Sequence, residues 1–209
     1  MIPISYGITV SIEAVELSKL LQCLLPYICQ EDEVIVLADK DKVTPAVLQV
    51  LEQYKSNIKA IFFPLNHNFA NFKNHLIETA TKDYLFQIDA DELPNVYLLQ
   101  SIKPLLNRYK DFDCIRIPRV NIIEGITFEH LRQWDWDIDM YGRINYPDLQ
   151  MRIFKLHQGI VWAQKVHEIL VNYKHLVNLP YRENESYCLY HRKTIGKQEE
   201  QNKYYETLQ

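Results

Sequence analysis

The chain has 209 residues, 47% hydrophobic and 24% charged, which suits one soluble globular core and gives no compositional reason for a second domain. Its 23 Lys+Arg against 27 Asp+Glu leave a formal net charge of −4, which argues against a dedicated nucleic-acid binder. There is no signal peptide or apolar run of membrane-span length, and Cys23, Cys29, Cys114 and Cys188 have no C-x-x-C or zinc-type spacing. Free thiols in a cytoplasmic protein, tethered at most to a membrane face by a partner, are therefore expected.

The first half alternates strand and helix. Ser5 to Ile12 is short and β-rich, and Glu13 to Tyr27 repeats its apolar residues near the helical period. Glu33 to Ala38 (EVIVLA) reads as a buried strand ending at Asp39. Thr44-Pro45 opens a helix to about Tyr54 by the N-cap and first-turn proline rule. Ile58 to Leu65 is a third strand, Asn71 to Thr81 a third helix, and Tyr84 to Asp89 a fourth strand. Such alternation implies βαβ units and a mostly parallel sheet with helices on both faces. Right-handed crossovers then bring Ser11, Asp39 and Asp89 to one sheet edge.

The fourth strand carries the strongest local signal, Asp89-Ala90-Asp91-Glu92. Side chains two apart in an extended segment point the same way, so Asp89 and Asp91 are expected to converge on one ligand. Two hard oxygen donors suit a divalent cation bound also to phosphate oxygens, and the C-terminal ends of strands are where open α/β sheets bind ligands.

The second half is mixed. Cys114 to Val120 alternates like a strand, and a polar, aromatic stretch through Trp134, Trp136 and Tyr141 reads as a loop over the site. Met151 to Leu156 and Gly159 to Trp162 look like a hairpin turning at His157-Gln158-Gly159. Ser186 to Tyr190 is a last short strand and Lys197 to Leu208 a terminal helix without a stop signal, as in one domain of a longer protein. Residues 1–92 would form a nucleotide-binding half and 93–209 an acceptor-binding half.

These landmarks, in this order, resemble the family 2 type of nucleotide-sugar glycosyltransferases, which have the GT-A fold. They are a first strand ending TVSI, Asp39, N-F-A-N-F-K-N from Asn68, D-A-D-E, R-I-F-K from Arg152, W-A-Q-K-V-H-E from Trp162, and Y-H-R from Tyr190. The resemblance implies transfer of a sugar from a nucleotide-diphosphate donor, UDP-sugar favoured, to a hydroxyl on a glycan, glycolipid or glycoprotein. It implies that Thr9 and Ser11 line the nucleoside pocket and that Asp39 bonds the base or ribose. Lys73 stands where the family often has arginine, facing base or diphosphate, and Ala90 lies against the donor. Asp89 would contact ribose or metal, and Asp91 and His191 would hold Mn²⁺ or Mg²⁺. The metal would neutralise the leaving diphosphate. An inverting transfer needs a carboxylate base, for which Glu168 is the first choice and Asp148 the second, with Asp135, Asp137 and Asp139 as outsiders. Trp162 and His167 are candidate acceptor contacts.

Each residue has a plainer reading: an aspartate capping a turn, a solvated lysine, a surface histidine, Trp162 as a core anchor. Among rival functions, a haloacid-dehalogenase-like phosphatase would carry its D-x-D near the first strand, and a sugar nucleotidyltransferase would need a Gly-rich N-terminal loop, where this chain has only Gly7. The non-catalytic rival is a nucleotide-sugar or glycan-binding module on a degenerate GT-A fold.

Overall fold

The computed structural model describes residues 2–206. The first half follows the predicted alternation. Strand β1 (Ile4–Val10) leads into α1 (Ala14–Leu24) and a 3-10 turn at Leu25–Tyr27. Then come β2 (Glu33–Asp39), α2 (Pro45–Gln53), β3 (Lys59–Phe63), α3 (Phe69–Thr79) and β4 (Tyr84–Asp89). The Thr44 side chain accepts from Val47 N, so Pro45 occupies the first turn as the sequence indicates. Asn68 caps α3 in the same way, accepting from Asn71 N and starting that helix earlier than its periodicity shows.

Beyond β4 lie β5 (Glu92–Pro94), α4 (Val96–Arg108), β6 (Cys114–Glu124), α5 (Phe128–Trp134) and β7 (Ile144–Lys155). Short strands β8 (Val161–Ala163), β9 (Ile169–Val171) and β10 (Leu176–Asn178) follow, then β11 (Leu189–Thr194) and α6 (Ile195–Glu206). The main sheet runs β3-β2-β1-β4-β7-β6-β11-β5, with β10 paired to β6. Strands β3, β2, β1 and β4 are mutually parallel, and β7 joins antiparallel between β4 and β6. This is a mixed α/β fold around a mostly parallel sheet.

Alternation along the strands sends side chains to two cores. Val34, Val36 and Ala38 of β2, with Phe86 and Ile88 of β4, pack under α1, α2 and α4. Ile35, Leu37 and Leu85 face the other way, against Leu76 of α3 and against Phe154 and Trp162. Gly7 sits on this second face, where a Cβ would lie 2.6 Å from Leu76 Cδ2; the missing side chain lets α3 close onto β1.

Three expectations for the second half are corrected. Met151–Leu156 is not one arm of a hairpin with Gly159–Trp162. It belongs to β7, which pairs with β4 and β6, while Val161–Ala163 pairs antiparallel with Ile169–Val171. Ile153 and Phe154 are buried on opposite faces, which a central strand provides and a two-stranded hairpin cannot. Trp134 ends helix α5 rather than lying in a loop, because Thr127 and His130 form a reciprocal capping box. The last strand starts at Leu189, later than predicted. The predicted terminal helix is present as α6, and the part of it placed at Thr207 and Leu208 lies outside the described residues.

Candidate active site

The C-terminal ends of β1, β2 and β4 open into one cavity of about 800 Å³. Of the predicted site residues, Thr9, Ser11, Asp39, Lys73, Asp89, Ala90, Asp91, Asp148, His167, Glu168 and His191 all line it. Trp162 does not. It is 6% exposed, stands edge-on to Phe154 and donates its indole N–H to Gln87 Oε1 at 2.9 Å, so it is a core anchor rather than an acceptor platform. Asp135, Asp137 and Asp139 also lie outside the lining.

At one end of the cavity Asp39 is almost fully buried. Its Oδ1 accepts from the backbone N–H groups of Asp41 and Leu65, both at 3.2 Å, while Oδ2 has no partner among the described residues. A buried acceptor left without a donor is costly, and here it borders space that a ligand can fill. Thr9 pairs in register with Asp89 across β1 and β4, and the Ala90 N–H donates to Thr9 O at 2.9 Å, extending the pairing past the strand end.

The two aspartates of D-A-D line the same cavity but have different protein partners. The strand ends at Asp89 and Asp91 lies in the turn beyond it, so strand alternation no longer applies. Asp89 faces inward, accepting from Thr9 Oγ1 at 2.7 Å and from Arg152 Nη2 at 2.6 Å, with Lys73 Nζ at 3.7 Å. Burial pushes its carboxyl up, but the Arg152 and Lys73 charges outweigh burial and hold it far below the usual range. Asp91 meets His191 instead, Oδ2 to Nε2 at 3.1 Å. Burial again pushes the Asp91 carboxyl up, and the contact with His191 brings it below its ordinary value.

Asn121 fixes the histidine. Its Nδ2 donates to Asp148 Oδ2 at 2.8 Å, which leaves Oδ1 to accept from His191 Nδ1 at 2.8 Å. The ring atom beside Asp91 is then Nε2, with Nδ1 turned to Asn121.

Arginines that the sequence reading passed over tie these pieces together. Arg152 Nη2 bridges Asp89 to Glu92 Oε1, Arg119 Nη1 reaches the same Glu92 oxygen at 2.9 Å, and Arg119 Nε and Nη2 both donate to Asp148 Oδ2. The result is an alternating row: Lys73, Asp89, Arg152, Glu92, Arg119, Asp148. A signal existed in the sequence, because Arg119 and Arg152 interrupt apolar strand runs, and a charged residue in a buried strand needs a partner. Lys73, expected to face base or diphosphate, is 6% exposed, binds Glu168 Oε1 at 2.5 Å and sits 4.9 Å from the Trp162 ring centre.

Glu168 and Asp148 differ in their freedom. Asp148 accepts from Arg119, Asn121 and Gln150; burial pushes its carboxyl up, and these partners, Arg119 foremost, hold it lower than usual. Glu168 has the single Lys73 contact on Oε1. Asn74 steadies the approach to its loop, bonding the backbone of Trp162 through both amide atoms at 2.9 and 2.8 Å. Among the described residues, no three His, Cys, Asp or Glu side chains form a group that could hold a metal ion by themselves.

A mostly parallel sheet with helices on both faces, and an acid-lined cleft where β1, β2 and β4 end, define the GT-A class of glycosyltransferase domain. The glycosyl transferase family 2 profile matches residues 7–166, and the chain belongs to that family. S. aureus TarS 1-349 is similar in structure, with a TM-score of 0.63 at 14% identity, covering 91% of this chain and 60% of that one. The longer S. aureus TarS structure gives 0.62 at 14% identity, covering 91% of this chain and 37% of that one. At this identity the likeness concerns the fold. This chain thus spans about 60% of the shorter TarS chain. No curated protein sequence matches. Among the described residues no helix is long and apolar enough to cross a membrane.

Proposed function

We propose that this domain transfers a sugar from a nucleotide-diphosphate donor to a hydroxyl of a glycan, glycolipid or glycoprotein, with inversion at the anomeric carbon. The observation that carries the reading is the unpartnered Asp39 Oδ2, in the same cavity as the Asp91–His191 pair and Glu168. An N–H or O–H of the donor's nucleoside would complete the bonding of Asp39.

Asp91 and His191 supply one hard oxygen and one imidazole nitrogen, a donor set that Mn²⁺ or Mg²⁺ would complete with diphosphate oxygens and water. When bound, such an ion supplies Lewis-acid neutralisation of the leaving diphosphate. Asp89, with both oxygens engaged by Thr9 and Arg152, positions the turn that carries Asp91. Glu168 acts as general base: Lys73 holds Oε1, and Oε2 takes the acceptor hydroxyl proton as that oxygen attacks. Asp148, saturated by its donors, orients Asn121 and Arg119 rather than moving a proton.

Calorimetric titration with a panel of nucleotide-diphosphate sugars, with and without Mn²⁺, tests the reading on wild type, Asp91→Ala and Glu168→Gln. A uridine diphosphate sugar heads the panel; TarS itself has been solved in complex with UDP and with UDP-GlcNAc. Manganese-dependent binding that falls at least about tenfold in Asp91→Ala is expected. Glu168→Gln should still bind donor but lose transfer. Absence of binding to every donor, metal present, would sink the assignment, and binding without metal-dependent donor hydrolysis would favour a non-catalytic module.

A further inference from the structure

Helix α6 lies outside the 7–166 stretch that matches the family, yet it forms one wall of the cavity. Gln198, Gln201, Asn202 and Tyr205 all line it, and offsets of three, four and seven residues put them on one helix face. A helix packed on a globular body normally turns an apolar stripe inward. Here the inward stripe is amides and one phenol, and the buried residue of α6 is Gln198.

The amides hold one another in place. Gln198 Nε2 donates to Asn202 Oδ1 at 2.7 Å, Gln201 Nε2 donates to the Tyr205 hydroxyl oxygen at 3.0 Å, and Lys193 Nζ donates to Gln201 Oε1 at 2.6 Å. A primary amide has two N–H donors and two acceptor lone pairs, so these bonds leave capacity for a ligand. The helix is also tied to the body by polar pairs: Lys197 to Glu16 at 2.7 Å, Glu199 to His130 at 3.4 Å, and Tyr204 to His67 at 2.9 Å. Tyr205 stands edge-on to Phe69 and His167. Tyr205 shares the cavity lining with Asp89, Asp91, His167 and Glu168.

Resting on the donor reading above, we infer that this face of α6 is the sugar-recognition wall of the donor site and reads the hydroxyls of an uncharged hexosyl group. Amides and a phenol both give and accept hydrogen bonds, as ring hydroxyls require. A charged sugar is disfavoured because Lys73, Arg119 and Arg152 are already bound to carboxylates. A uronate would meet Asp89, Asp91 and Glu168, and the cation at the α6 face, Lys193, already donates to Gln201 Oε1.

The test is titration of wild type, Tyr205→Phe and Asn202→Ala with UDP, UDP-glucose, UDP-galactose, UDP-GlcNAc and UDP-glucuronate in Mn²⁺. Wild type should bind at least one neutral UDP-sugar more tightly than UDP and more tightly than UDP-glucuronate. Each variant should weaken that sugar roughly three- to tenfold, the value of one lost hydrogen bond, and move UDP less than about twofold. Tyr205→Phe keeps its ring contacts and should melt with wild type; if Asn202→Ala melts early, Tyr205→Phe alone decides. Equal losses for UDP and UDP-sugar, no loss in either, or preferred binding of UDP-glucuronate would overturn the inference while the donor site stands. Failure of wild type to bind any uridine nucleotide would overturn both.

Discussion

Replacing Arg152 with methionine removes the cation at the centre of the charged row. Arg152 is 2% exposed and its Nη2 lies 2.6 Å from Asp89 Oδ2 and 2.5 Å from Glu92 Oε1. At these separations two such attractions are each worth about 6 kcal/mol at an effective dielectric of about 20, offset by the cost of drying all three groups. What the substitution exposes is the other side of that balance: Asp89 and Glu92 each lose a counter-charge, Asp89 keeping only Lys73 at 3.7 Å and Glu92 only Arg119 at 2.9 Å. Removing one partner of a buried pair costs about 3–5 kcal/mol, which for a chain of this size lowers Tm by roughly 6–20 °C. The assay is thermal and urea unfolding of wild type, Arg152→Met, Asp89→Asn and the double variant. The double variant should lose well less than the sum of the single losses, because neutralising Asp89 removes a charge that Arg152→Met strands. Additive losses, or an Arg152→Met cost below about 1 kcal/mol, would refute the reasoning that pairing offsets burial here.

Asn121→Ala frees the His191 ring and should weaken Mn²⁺ binding in the presence of UDP roughly 10–100-fold by calorimetry, with little change in Tm without metal. Gly7→Ala pushes a Cβ to 2.6 Å from Leu76 Cδ2 and 2.9 Å from Leu85 Cδ1, and urea unfolding should show a loss of about 1–3 kcal/mol. Asp113→Ala removes the acceptor for the backbone N–H groups of Lys174 and His175 and should cost about 1–3 kcal/mol at pH 7. Burial pushes the Asp113 carboxyl up, but those N–H groups and Lys155 bring it below its ordinary value. Its stabilisation is therefore present above the unfolded pKa of about 3.9 and is lost as pH falls through the folded value, so the wild-type advantage should shrink on acidification.

The parallel half of the sheet was legible because its signals are local. Thr44-Pro45 caps its own helix, EVIVLA reads as one buried strand, and Asp39 and Asp89 end strands that right-handed crossovers bring to one sheet edge. The antiparallel half depends on partners far apart in the chain. His157 and Gly159 both have the positive φ of a turn, as their residue types suggest, but the strand before that turn pairs with Tyr84–Phe86 and with β6. No local pattern encodes that choice. The same holds for the site. D-A-D marked the place, while the division of labour between Asp89 and Asp91 is set by Arg152 and His191, which lie 63 and 100 residues away from them.

The insertion of β7 between β4 and β6 has a consequence for synthesis on the ribosome. Once Asp89 has emerged, the parallel strands can assemble, but β4 keeps a bare, apolar edge until residues 144–155 arrive. The long gap leaves Tyr84–Asp89 exposed to pairing with neighbouring nascent chains, the hazard of any flat, hydrophobic border. His191 comes later still, so Asp91 emerges 100 residues before its partner.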